Sequence, residues 1–131
     1  MVDLDLLQDY LDGLGISMPF YQFLFPDENQ YSDGVEDIKE AIAFSLKSQD
    51  SNPVVSKSNL RFLIRADHPQ RCKEVGVEII EKFNMVTDVV IGNSQIVLFK
   101  PFSLIPEPIG VDNNDNHIFQ VDIITVVSPL N

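Results

Sequence analysis

The chain has 131 residues, which fits one domain spanning residues 1–131 and excludes two ordinary ones. Twenty acidic residues against nine basic ones give a net charge of −11, which argues against a protein that grips nucleic-acid phosphates or anionic membranes. Apolar residues make up 44% of the chain, so it should fold, and the single cysteine, Cys72, excludes an internal disulfide. With no signal-peptide pattern and no apolar run of membrane length, we expect a soluble intracellular protein.

The first half of the chain combines a helical pattern with aromatic and acidic segments. An amphipathic helix is predicted from Val2 to Leu14, because leucines recur at helical spacing at Leu4, Leu7, Leu11 and Leu14. The aromatic run 20–25 predicts a short strand or extended segment, and the acidic, turn-rich residues 27–37 predict a loop. Residues 38–47 fit a helix and a buried strand equally well. Polar residues 48–58 predict a second loop.

The second half has clearer strand signals. Alternating apolar residues predict a strand over 60–65, and Asp67 and Pro69 then supply a cap and a first turn for a helix ending near Asn84. Gly92 and Asn93 predict a hairpin between strands at 86–91 and 95–102. We expect a structured crossover at 103–110, a polar turn at 112–117 and a last strand at 118–127. The predicted fold class is α+β: a mainly antiparallel sheet of four to five strands, a helix packed across one face and an N-terminal helix.

Two groups of residues carry weak signals for chemistry. Residues 112–116 place Asp, Asn and Asn at positions one, three and five of a calcium loop, but His117 and Ile123 stand where the loop needs Gly and Glu. A turn between strands, with asparagines in left-handed conformations, is therefore favoured. His68 and Cys72 are four residues apart, but zinc needs three or four ligands and Cys72 lies on the predicted buried face. We expect no catalytic residues, no metal and no cofactor.

Basic residues gather around the second predicted helix. Arg71 and Lys73 lie in its first turn, where cations oppose the helix dipole. Together with Arg61 and Arg65 they would form the one basic region of an acidic chain. Solvated surface charge is the favoured explanation, and compensation by an acidic surface, such as the Asp-rich half of a neighbouring copy, is the alternative.

The order of elements from residue 59 onward resembles a known family. A strand ending in Ile64-Arg65 runs into a helix, and a hairpin, the Pro108-Ile109-Gly110 segment, an Asp/Asn turn and a closing strand follow. This pattern resembles the minor capsid or tail terminator (tail completion) proteins of long-tailed bacteriophages over residues 58–127, with Arg65, Pro108, Gly110 and Asp112 at matching positions. The resemblance also implies that 40–47 is a strand.

The resemblance implies a structural virion protein, assembled in the host cytoplasm, that forms a ring, commonly a hexamer. Such a ring ends the tail tube and presents a surface to the head connector or head-completion protein. Its expected partners are other copies, the tail tube protein and the connector, with DNA passing through without sequence-specific binding and with no membrane. From charge alone, we expect the acidic loop to face the lumen or a partner through Asp27, Glu28, Asp33, Glu36 and Asp37.

Three other functions stay open. An acidic interaction module, such as an inhibitor that mimics DNA, would bind a basic protein. Another head–tail joining protein would share the same elements. A small enzyme built from dispersed carboxylates would need a pocket with perturbed acids.

Overall fold

A computed structural model describes residues 2–25, 40–51 and 56–129. It contains two helices, α1 (Leu4–Asp12) and α2 (Pro69–Lys82). The strands are β1 (Phe20–Gln22), β2 (Ala41–Ser51), β3 (Ser56–Ala66), β4 (Val86–Ile91), β5 (Ser94–Pro101), β6 (Glu107–Val111) and β7 (His117–Pro129). The α+β class is confirmed, but the sheet has seven strands and is larger than predicted.

The sheet is mixed, in the order β1-β2-β3-β7-β5-β4. Its one parallel pair is β1 with β2, and the other pairs are antiparallel. Because β3 occupies one side of β7 along nearly its whole length, β5 and β6 share the other side. They pair with residues 123–129 and 117–120 of β7 respectively, so residues 102–106 form an excursion between two collinear strands.

One ambiguous segment is resolved, and two predicted segments need correction. Residues 41–51 are strand, and this agrees with the resemblance where the residue pattern alone left helix open. The predicted loop at 48–58 is wrong at both ends, because β2 and β3 extend toward each other as a hairpin whose backbones pair as far as Ser51 and Ser56. The crossover at 103–110 is half strand, because β6 begins at Glu107.

The core lies between the two helices and one face of the curled sheet, here called the inner face. Helix α1 begins at Asp3, whose carboxylate accepts hydrogen bonds from the backbone N–H groups of Asp5 and Leu6. It contacts β1 and β4, the strands at opposite ends of the sheet order, so the sheet wraps around it. The ring of Tyr10 stacks 6.1 Å from that of Phe99.

Helix α2 packs on the same inner face through residues at helical spacing. Cys72, Val75 and Ile79 are fully buried against β3 and β7. The predicted cap is wrong: His68 occupies the N-cap position without a side-chain hydrogen bond, and Pro69 starts the helix as expected. Neither described helix is long and apolar enough to cross a membrane.

Candidate assembly surfaces

Apolar side chains protrude where the chain passes from β5 to β6. Phe102, Leu104 and Ile105 are 74%, 70% and 73% exposed, and Ile109 and Val111 on β6 are about half exposed. These five residues are called the apolar edge below. Contiguous exposed apolar patches are uncommon on monomeric proteins and mark contact sites. The apolar edge is therefore a candidate surface for another protein.

The excursion that carries the apolar edge is held at both ends. At its start, the backbone N–H of Phe102 donates to the carbonyl of Asp122 at 2.9 Å. At its end, Pro106 is buried against α2 at Gly76, where a Cβ atom would lie 2.4 Å from Pro106 Cγ. Only glycine permits this approach without movement. The apolar side chains are thus presented from an anchored segment.

A groove of about 370 Å³ lies where β7 has no strand partner between β5 and β6. Its walls include Phe102, Ile105, Pro108, Gln120 and Asp122. Among residues 2–25, 40–51 and 56–129, no three His, Cys, Asp or Glu side chains are placed to hold a metal ion. The groove belongs to the contact surface formed by the apolar edge.

Sequence reasoning missed the apolar edge, although a signal for it was present. Residues 102–105, Phe-Ser-Leu-Ile, stand between Pro101 and Pro106. Proline is disfavoured inside a paired strand, so a strand is not expected to continue through this run. The run also lacks the apolar–polar alternation of a strand that turns one side toward the core. Such a run outside an element is a candidate contact segment.

A second apolar site lies beside β1, at one end of the strand order. Phe23 and Leu24 follow β1 and are 58% and 55% exposed. Phe23 has a left-handed backbone (φ 68°), which ends the strand. In the described residues β1 pairs only with β2, so exposed apolar side chains lie at this end of the strand order as well as beside β7 at the apolar edge.

The sheet face opposite the helices carries four basic residues, of which Arg61 is paired with Asp122 on the same face. Strand alternation places on it four basic residues separated by half-buried apolar ones: Lys47, Lys57, Arg61 and Lys100, with Leu63, Leu98, Ile124 and Val126 between them. These eight residues are called the open sheet face. Both described helices pack on the inner face, so neither covers it, and Phe25 packs on this face at its Leu63 end.

The two arginines of β3 lie on this side of the sheet but in different environments. Arg61 is half-exposed, and its Nε lies 3.0 Å from a carboxylate oxygen of Asp122; this hydrogen bond raises the pKa of Arg61. Arg65 is 2% exposed, and its guanidinium lies 4.5 Å from the ring centre of Phe25. A buried arginine stacked on an aromatic ring is a packing element of the fold.

Arg71 and Lys73 belong to α2, which packs on the other side of the sheet from Arg61 and Arg65. The structure therefore does not bring the four together. Arg71 Nε donates to Glu40 at 2.7 Å, and Arg71 Nη2 donates to the carbonyl of Ser17 at 2.8 Å. The hydrogen bond to Glu40 raises the pKa of Arg71. The compensating carboxylate is therefore internal, while Lys73 is exposed.

The acidic side chains predicted to face a partner lie outside the described residues. They are Asp27, Glu28, Asp33, Glu36 and Asp37. Their role stays a prediction. The described acids nearest in sequence are those of α1 and Glu40.

The weak chemical signals resolve into structural roles. Cys72 Sγ lies 3.4 Å from the carbonyl oxygen of His117 and 3.6 Å from that of Ile64, and burial raises the pKa of this thiol to about 11. The chain turns at 112–116, where Asp112 Oδ1 accepts from the backbone N–H groups of Asn114 and Asn116. Burial alone would raise the pKa of Asp112, but these bonds lower it. The left-handed residue is Asp115 (φ 62°) instead of an asparagine.

The comparisons with known proteins fit this arrangement. The family model of the bacteriophage tail terminator protein matches residues 4–129, nearly the whole chain. No curated protein matches the chain. The chain therefore belongs to the bacteriophage tail terminator family. It is accordingly a structural component of the phage tail.

Proposed function

We propose that copies of this chain form a ring that ends the phage tail tube and presents a surface to the head connector or head-completion protein. The observation that carries the proposal is the apolar edge on a member of the tail terminator family. Phe102, Leu104 and Ile105 are 70–74% exposed, more than the other exposed large apolar side chains of the described residues, which are 58% exposed or less. Burying each of them against a neighbour contributes roughly 1.5–3 kcal/mol.

The ring function needs no catalytic step. Its partners under this proposal are other copies, the tail tube protein and the connector. DNA would pass through without sequence-specific binding, in agreement with the charge of −11. The acids at 27–37 would face the lumen or a partner.

The test removes apolar surface from the contact segment. The variant Phe102→Ser/Leu104→Ser/Ile105→Ser should keep the fold, because these side chains are exposed, and should lose ring formation and termination. Native mass spectrometry measures the rings, and electron microscopy measures the length of tubes grown from tail tube protein with and without the chain. The wild-type chain should halt tube growth, and the variant should not.

A matched control removes apolar surface elsewhere. Val77 on α2 and Val90 on β4 are 42% and 58% exposed, and Val77→Gln/Val90→Thr should leave rings and tube length unchanged. Tubes that elongate freely in the presence of the wild-type chain would contradict the proposed function. A wild-type chain that stays monomeric with tail tube protein and instead captures a basic protein would support the acidic inhibitor.

A further inference from the structure

The basic residues of the open sheet face form a compact array. Lys47 pairs with Asn59, Asn59 with Ile124 and Ile124 with Lys100, so one row crosses four strands. At about 4.8 Å per strand, the two lysines of this row stand about 14 Å apart. Lys57 lies one row away, beside Val126. All three lysines are exposed.

The side chains between these lysines are more apolar than is usual on a sheet face in contact with water. An antiparallel sheet with one face in water ordinarily alternates apolar and polar residues. In the C-terminal half of β7, both faces are largely apolar: Ile123 and Val127 are buried in the core, and Ile124 and Val126 are half-buried on the open sheet face. Leu98 of β5 pairs with Val126 and extends this apolar surface. Such a face suits a covering layer.

The opposite side of the domain has the complementary charge. The first basic residue of the chain is Lys39, so α1 and its cap carry only acids: Asp3, Asp5, Asp9 and Asp12. All four are exposed, because Leu7 and Leu11 turn the apolar stripe of the helix into the core. The exposed surface of α1 is therefore acidic, and the exposed lysines of the open sheet face lie on the other side of the sheet.

We infer that the open sheet face of one copy binds the acidic surface of α1 of a second copy, head to tail. Copies that each carry −11 repel one another unless their contact joins opposite charges, and this contact does so at every junction. A helix laid on an open sheet face is also the ordinary way in which such layers pack. Contacts between two different surfaces of identical chains generate a ring when the rotation that relates one copy to the next closes on itself. The inference rests on the proposed ring and adds a charged contact to the one made by the apolar edge.

A charge-swap experiment tests the inference. Lys57→Glu/Lys100→Glu and Asp9→Lys/Asp12→Lys each put like charges into the contact and should raise the concentration for half-assembly about tenfold or more at low salt. The four-residue combination keeps the wild-type net charge and reverses both surfaces, so it should assemble within a few-fold of wild type. Higher salt should weaken wild-type assembly, since it screens the attraction.

The control variant changes the net charge by the same amount as Lys57→Glu/Lys100→Glu, but at residues that lie away from the open sheet face. Lys82→Glu/Gln70→Glu/Asn84→Glu changes three exposed residues in or next to α2 and should assemble like wild type. Assembly is measured by native mass spectrometry with tail tube protein present, and thermal melting confirms that each variant folds.

Each other outcome has a defined meaning. If the wild-type chain does not assemble at all, the proposed ring fails. If it assembles while both double variants do so equally well, or the combination stays defective, only this interface is overturned. It is also overturned if the lysine variant assembles normally but loses binding to a short DNA duplex. Loss of assembly on neutralising the acids at 27–37, with the α1 variant unaffected, would assign the contact to that segment instead.

Discussion

The inner core and the apolar edge use the same kinds of side chain in opposite ways. In the core, Phe62 is fully buried, and its ring centre lies 5.8 Å from that of Phe20 and 5.7 Å from that of Phe83. At the apolar edge, Phe102 is 74% exposed on an anchored excursion. The fold of one copy is therefore complete without Phe102, and its exposed ring is left for another molecule.

The same substitution at these two phenylalanines should separate folding from assembly. Phe62→Ala is expected to lower the free energy of unfolding by about 3–5 kcal/mol, because it leaves a cavity among packed rings. Phe102→Ala should change it by about 0.5 kcal/mol or less while weakening ring formation. Urea unfolding and native mass spectrometry measure the two effects. Equal destabilisation by both variants would show that Phe102 belongs to the fold of the single copy.

Gly76 of α2 contacts Pro106 and so joins the core to the apolar edge. Disrupting this contact should lower the free energy of unfolding by less than Phe62→Ala does. In Gly76→Ala the new methyl group would overlap Pro106, and we expect a loss of about 1–3 kcal/mol in the free energy of unfolding, although alanine favours helix by about 1 kcal/mol. Ring formation should also weaken, because the excursion must shift.

The control for this prediction is the double variant Gly76→Ala/Pro106→Ala. Removing the proline ring should relieve the overlap, so the two substitutions should be strongly non-additive in urea unfolding. Additive losses would mean that the excursion does not depend on this contact.

The elements predicted correctly from sequence are those in which apolar residues recur at a single helical or strand spacing. The leucine stripe of α1 and the alternation in β3 and β7 each present a single face to the core. Residues 41–44 were ambiguous because β2 is buried on both faces: Ile42 and Phe44 point into the core, while Ala41 and Ala43 pack against Phe25. A strand covered on both sides loses its alternation.

The remaining errors have one physical cause, which is pairing between distant segments. Serine-rich ends of β2 and β3 are strand because each extends the hairpin of the other. Pro108 and Gly110 are tolerated in β6 because it lies at a sheet edge and carries a bulge. Arg65 was predicted as a surface charge, and its burial depends on Phe25, far away in the chain. Of the basic residues on the open sheet face, only Arg61 was predicted from sequence, and the apolar edge was not predicted.

The smallest predicted effect concerns Cys72, whose thiol lies in the core. Its pKa is raised by burial from 9.0 to about 11 in the folded chain, so the folded state favours the neutral thiol. This contribution to stability is fully present below pH 9 and is lost as the pH rises toward 11. Between pH 8 and pH 10 the free energy of unfolding should fall by about 1 kcal/mol from this group, and Cys72→Ala should remove that part of the pH dependence. A thiol reagent at pH 8 should react with the native chain at least about 100-fold more slowly than with the urea-unfolded chain.

Because Cys72 touches neither the apolar edge nor the open sheet face, its substitution should leave ring formation unchanged at neutral pH. A ring that responds to Cys72→Ala would mean that assembly depends on how α2 sits on β3 and β7, and the division between core and contact surface would then fail at that helix.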